Sequence, residues 1–191
     1  MSFNTIDINK QRQDLSSYDD VWLFGYGSLI YKVDFPYIQK RSAYIRGWNR
    51  KFWQGSHDHR GTPQSPGRVV TLVEAQSTKK CFGVAYRVRP DVFEHLDHRE
   101  KNGYLRYEVN LHFLDSDAGC TKGIVYIADP DNAAFLGDAS IQEIANQIHH
   151  SKGPSGPNRE YAIKLAQALE ELGFDDQHVK SINQHLQNLE Q

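Results

Sequence analysis

Two groups of residues in this chain have the types and spacing to do chemistry. The first is Gly25-Tyr26-Gly27-Ser28-Leu29-Ile30, directly behind the apolar run Val21-Trp22-Leu23-Phe24. A buried strand that ends in two glycines turns tightly and can aim consecutive backbone N–H groups at an anion or a polarised carbonyl. A plain strand-to-loop turn accounts for the same residues. A dinucleotide fingerprint does not, because Ile30 stands where its third glycine belongs. Nor does a hydrolase elbow, since Ser28 has Gly27 before it but Leu29 and Ile30 after it. The second group is Leu96 to Tyr104, in which Glu100 sits between Arg99 and Lys101, just ahead of Gly103. A carboxylate among cations at a helix end is most simply a surface ion-pair member, and a general base only if it is buried and positioned.

Other groups carry weaker signals. His95 and His98 are three apart and could share a helix face as metal ligands do, but no second ligand pair stands at metal-site spacing, so no metal is expected. Arg41 to Arg68 holds six Arg or Lys residues against one acid, Asp58, interleaved with aromatics. A solvated basic strand face explains that stretch, and one or two of its cations suffice for a small anionic substrate.

These groups need elements to position them. Pro90 is suited to the first turn of a helix running to about Arg99, with Val92, Phe93 and Leu96 as its apolar stripe, which leaves Glu100 at or just past the helix end. Residues 41–54 read as one long bent strand or two linked strands, and 55–67 as a loop. Further strands fall at 69–73, 81–88, 105–114 and 123–127, which predicts a mostly antiparallel curved sheet or barrel. Ser140 with Glu143 forms a capping box before a helix, Asn158 is placed to cap the next, and Asp175 or Asp176 the last. Residues 1–20 lack a sustained apolar period and predict an N-terminal extension, either loose or capping an edge, ahead of a single domain at 21–191.

Bulk properties bound the function. Hydrophobic residues make up 39% of the 191 and charged ones 24%, enough to build a core and solvate it. A net charge of -2 gives no global field to hold a nucleic acid or a membrane surface, and no apolar run is long enough to span a bilayer. Cys81 and Cys120, the only cysteines, both fall in strand-like patterns and predict buried reduced thiols in a soluble cytoplasmic protein. Nothing specifies an oligomeric state.

Taken together, Phe24 to Ile30, Lys32 to Tyr37, Phe52 to Ser56, Asp58 to Gly61, Pro66 to Glu74, Leu96 to Tyr104 and Gly153 to Gly156 resemble the ChaC-type glutathione-specific γ-glutamylcyclotransferases. The resemblance implies an α+β fold, a small mixed β-barrel with flanking and C-terminal helices. It implies Gly25, Tyr26, Gly27, Ser28, Leu29 and Ile30 as the substrate-binding loop, Glu100 as the catalytic glutamate, and no cofactor. The implied reaction is glutathione degradation by a lyase, giving 5-oxoproline and cysteinylglycine. Arg60, Arg68 or another cation of the basic segment is then expected to hold a substrate carboxylate. Other γ-glutamyl compounds as substrates, or a non-enzymatic binding domain on the same fold, are the alternatives.

Overall fold

The computed structural model describes residues 4–117 and 119–189. They fall into two compact units, each made of two chain segments: residues 1–49 with 72–133, and 50–71 with 134–191.

The first unit is built on a closed five-stranded barrel. Its strands are β1 (Val21–Gly25), β2 (Gln39–Arg46), β5 (Lys80–Val88), β6 (Tyr104–Phe113) and β7 (Thr121–Ala128), in the order β1-β5-β2-β6-β7. Every neighbour pair is antiparallel except the closing pair, β1 with β7, which is parallel. β5 and β7 are buried on both faces through much of their length, with Val84, Ala85, Tyr86, Val125, Tyr126 and Ile127 losing nearly all contact with water, and this burial favours closure. Gly83 of β5 lies so near β1 that a Cβ there would strike the Gly25 carbonyl oxygen and the Phe24 ring. Two helices belong to this unit. α2 (Val92–Arg99) buries Val92, Phe93, Leu96 and Asp97, and α1 (Ile6–Arg12) packs on β6 and α2.

β3 (Trp48–Ser56) pairs with β4 (Gly67–Glu74), and most of both strands belongs to the second unit. That unit also holds α3 (Ile141–His150), the short hairpin of β8 (Lys152–Gly153) and β9 (Gly156–Pro157), α4 (Asn158–Glu171) and α5 (Gln177–Asn188). The three helices pack on one another, and Ile144, Ile148, Leu165, Leu169, Ile182 and Leu186 are buried.

Most expected elements are present, and the departures have physical causes. The long segment from Arg41 is two strands, β2 and β3, broken at Gly47, whose φ of 81° places it in the left-handed region that favours glycine. Ser140 and Glu143 do form a capping box, and Asp176 accepts from the Val179 N–H at 3.0 Å to cap α5. Asn158 is not a cap. It is the first residue of α4, fully buried, and its amide pairs with both backbone groups of Arg68, accepting at 2.7 Å and donating at 2.8 Å. Cys81 is buried as expected, but Cys120 precedes β7 and is exposed; neither is in a disulfide.

Candidate active site

The glycine loop and Glu100 both belong to the barrel unit, and one side chain joins them. β1 ends at Gly25, and Ser28–Ile30 follow as a single turn of 3-10 helix. Gly25 is where glycine is indispensable: a Cβ on it would come 2.8 Å from the Leu29 Cβ, so the turn folds back onto the strand end only because that atom is missing. Gly27 does not have positive φ, its backbone being at φ -127° and ψ -128°.

Phenol hydroxyls fix the loop from below. Tyr86 donates to the Leu29 carbonyl at 2.7 Å, and Tyr26 donates to the Tyr126 carbonyl at 2.6 Å. Burial, reinforced by nearby Tyr37, pushes the Tyr86 phenol well above its ordinary range, so it stays a neutral donor. Leu29 and Ile30 point into the core, while Ser28 is half-exposed.

Glu100 is the residue at which α2 stops, its N–H still bonded to the Leu96 carbonyl at 2.8 Å, and its side chain is 17% exposed. Gly103, at φ 95°, then lets the chain reverse into β6. Arg99, only 14% exposed, reaches from Glu100 to the loop. Its Nε is 3.5 Å from Glu100 Oε1, its Nη2 donates to Ser28 Oγ at 3.0 Å, and its Nη1 donates to Asp34 at 2.6 Å and to the Lys32 carbonyl at 3.1 Å. At Asp34, burial opposes ionisation, yet Arg99 and His95 outweigh it and hold the carboxyl below its usual range. Asp34 is therefore a fixed anion that anchors Arg99.

Beneath α2 lies a buried polar network. Asp97 is fully buried and receives Arg106 Nε at 2.8 Å and the Tyr126 hydroxyl at 2.7 Å. Burial first, then the Asp97 charge, drives the Tyr126 phenol far above its ordinary range, so it too remains a neutral donor.

The sequence expectations separate here. Gly25 to Ile30 and Glu100 share one environment through Arg99, which sequence reasoning passed over although it is Glu100's neighbour; its role as a bridge needed the fold. Arg60 and Arg68 are committed elsewhere, within the second unit. Arg60 donates to Glu160 and the Pro157 carbonyl, and Arg68 donates to Gln147 and to the carbonyls of Phe52 and Gly137. Both are largely buried, which disfavours either as the holder of a substrate carboxylate. His95 faces Asp34 at 3.4 Å, and no cluster of three or more metal-type ligands occurs among the described residues.

Comparison with known proteins gives this geometry a family. The chain is 46% identical over 180 residues to γ-glutamylcyclotransferase 2-3 of Arabidopsis thaliana, covering 88% of this chain and 89% of that one. It is 40% identical to glutathione-specific γ-glutamylcyclotransferase 1 of Danio rerio, covering 91% and 92%. A crystal structure of a yeast γ-glutamylcyclotransferase specific to glutathione superposes with a TM-score of 0.83 at 32% identity, over 90% of this chain and 97% of that one. Residues 21–189 match the model of the ChaC-like proteins, through both compact units, and the chain belongs to that family.

Proposed function

We propose that this protein is a glutathione-specific γ-glutamylcyclotransferase, a lyase of glutathione degradation. Relatives bearing that name match 91% and 80% of the chain. The observation that carries the site assignment is the Arg99 bridge, which puts the Gly25–Ile30 loop and the Glu100 carboxylate in one environment.

In a γ-glutamyl amide the α-amine can reach its own γ-carbonyl and close a five-membered ring, so the enzyme need not supply a nucleophile. Holding that geometry near attack contributes roughly 7–11 kcal/mol. The bond from the α-nitrogen to the γ-carbonyl carbon forms and the bond from that carbonyl carbon to the cysteine nitrogen breaks, giving 5-oxoproline and cysteinylglycine. Proton handling remains. The amine is an ammonium at neutral pH, and Glu100, mostly buried at a helix end, is the base that removes its proton and later delivers one to the departing nitrogen. Backbone N–H groups of Gly27 to Leu29 receive the charge that develops on the γ-carbonyl oxygen. At the start of a one-turn helix such groups have no intrahelical acceptor.

A family match running unbroken through both units supports reading 21–191 as one domain. Two cysteines outside any disulfide suit the reducing cytosol.

The test is incubation of purified protein with reduced glutathione, with 5-oxoproline and cysteinylglycine quantified in parallel. Equimolar release of both is expected, with γ-glutamylalanine a poor substrate. Comparable kcat/KM on the two compounds shifts the reading to a general γ-glutamyl enzyme, and free glutamate in place of 5-oxoproline rejects cyclisation.

A further inference from the structure

Residues 4–13 precede the segment matched by the family model, yet Thr5, Asn9, Arg12 and Gln13 bond to the stretch from Lys101 to Arg106 that follows Glu100. Thr5 is the N-cap of α1, where a threonine hydroxyl ordinarily accepts from the helix's own first-turn N–H groups. It makes no such bond. Instead the hydroxyl lies 3.1 Å from the Lys101 carbonyl and 2.9 Å from the Tyr104 carbonyl, its one proton between them, while the Thr5 N–H donates to Lys101 at 2.9 Å. Asn9, fully buried, donates to the Tyr104 carbonyl at 3.0 Å and accepts from the Arg106 N–H at 2.8 Å. Arg12 Nε closes the set on the Arg106 carbonyl at 2.6 Å, and Asn4 bridges Asn102.

Seven residues of helix are too few to persist in water alone, so α1 is ordered by what it grips. What it grips is one short span. Lys101 and Asn102 directly follow Glu100, Gly103 is the glycine pivot, and Tyr104 and Arg106 open β6, with Arg106 in turn holding Asp97 of α2. Both chain directions away from Glu100 are thereby pinned: back through Asp97, forward through the carbonyls that Thr5 and Asn9 occupy.

We infer that the N-terminal segment is a clamp setting the position of Glu100, with Thr5 and Asn9 as its positioning residues. The inference rests on Glu100 being the base. A clamp of this kind acts on the geometry of proton transfer rather than on substrate affinity, and a displacement of about 1 Å there can cost up to about 100-fold in rate.

The experiment compares kcat and KM for glutathione in Thr5→Val, Asn9→Leu and Thr5→Ser of the full chain, each alone and combined with Glu100→Gln, with melting temperatures taken alongside. Thr5→Val and Asn9→Leu are expected to lower kcat roughly 10-fold or more with KM within about twofold. Thr5→Ser, which keeps the hydroxyl, should restore most of the rate. In the Glu100→Gln background neither clamp variant should reduce the residual rate further. Equal fractional losses in both backgrounds, or a lowered melting temperature with normal kcat, overturn the clamp. An inactive Glu100→Gln beside a fully active Thr5→Val rejects the clamp alone, whereas normal turnover by Glu100→Gln rejects the base and the clamp with it. Should Thr5→Val not fold, Arg12→Ala, at an exposed position, carries the same comparison, and an unchanged kcat there counts against the clamp.

Discussion

Asp97 and Arg106, three residues upstream and six downstream of Glu100, form a two-point ion pair that is almost wholly withdrawn from water, their side chains 1% and 5% exposed. The pair fastens the last turn of α2 to the start of β6. Charges are costly to bury, and this pair is tolerated because Tyr126 supplies a further donor and the guanidinium lies 5.0 Å from the Phe93 ring.

Breaking one side of the pair strands the other. Asp97→Asn leaves the Arg106 charge buried without its counter-ion, and a loss of about 3–5 kcal/mol in unfolding free energy is expected, read by urea titration of the variant against the parent. A change below about 1 kcal/mol means that the pair contributes no more than an exposed one.

The glycine loop makes a sharper steric prediction. Gly25→Ala brings its new Cβ to 2.8 Å from the Leu29 Cβ, so the turn must move off the strand end. Stability should fall by about 1–3 kcal/mol, and kcat/KM for glutathione should fall with it as the N–H groups of Gly27 to Leu29 lose their aim. Leu29→Ala in the same chain should not rescue, because the clashing atom is the β-carbon itself. Leu29→Gly should. Rescue by Leu29→Ala would show that shape further out, not the Cβ contact, is limiting.

In the second unit, His178 predicts an acid-sensitive step in stability. Its Nε2 accepts from the Phe52 N–H at 3.0 Å, and burial, aided by Lys51, pulls its pKa down to about 4. An unfolded histidine takes its proton near pH 6.5. Below that pH the unfolded chain binds the proton first, so stability present above pH 6.5 is lost progressively toward pH 4, by up to about 3 kcal/mol. His178→Gln should flatten this part of the stability–pH curve. An equally steep fall in the variant assigns the step to other groups.

How much of this was legible beforehand follows from which interactions are local. The strands, the capping box at Ser140 and the cap at Asp176 are written in short-range pattern, and they form as expected. Asn158 is indistinguishable in sequence from a cap, since the same amide that could bond its own helix bonds Arg68, 90 residues away. α1 was invisible for a related reason: a polar stretch has no apolar period, and its helix is ordered by bonds from Thr5 and Asn9 to residues nearly 100 positions on. The importance of Gly25 was legible, but its cause lies in the approach of Leu29. Arg99 could be seen beside Glu100 and only the fold shows it touching Ser28.

Arg99 supplies a test of the bridge that joins the loop to Glu100. Arg99→Lys keeps the charge but cannot hold Ser28, Asp34 and the Lys32 carbonyl with one planar fork while staying beside Glu100. A drop of roughly 10-fold or more in kcat/KM is expected, with little change in melting temperature because the site is partly solvated. Parental kinetics in Arg99→Lys would mean that the bridge plays no part in turnover.

The decisive variant is Glu100→Gln. It keeps the size of the side chain and most of its hydrogen-bonding capacity, removes the proposed base, and so should fold and still bind glutathione. General-base contributions are about 10²–10⁴-fold, and an ammonium that keeps its proton cannot attack, so the fall in 5-oxoproline production should lie at or beyond the upper end of that range. Glu74, exposed at the end of β4, is the matched control: Glu74→Gln removes one carboxylate from a segment that shares the family resemblance, and its turnover should stay near the parental value. Product measurement by itself does not separate lost chemistry from lost binding, so calorimetric titration of glutathione into Glu100→Gln is run beside it. Tight binding with no product identifies the base. Retention of near-parental turnover by Glu100→Gln, with Glu74→Gln equally active, would leave Glu100 as a surface-type ion-pair partner of Arg99 worth no more than about 1 kcal/mol, and the proton would have to be taken by another group.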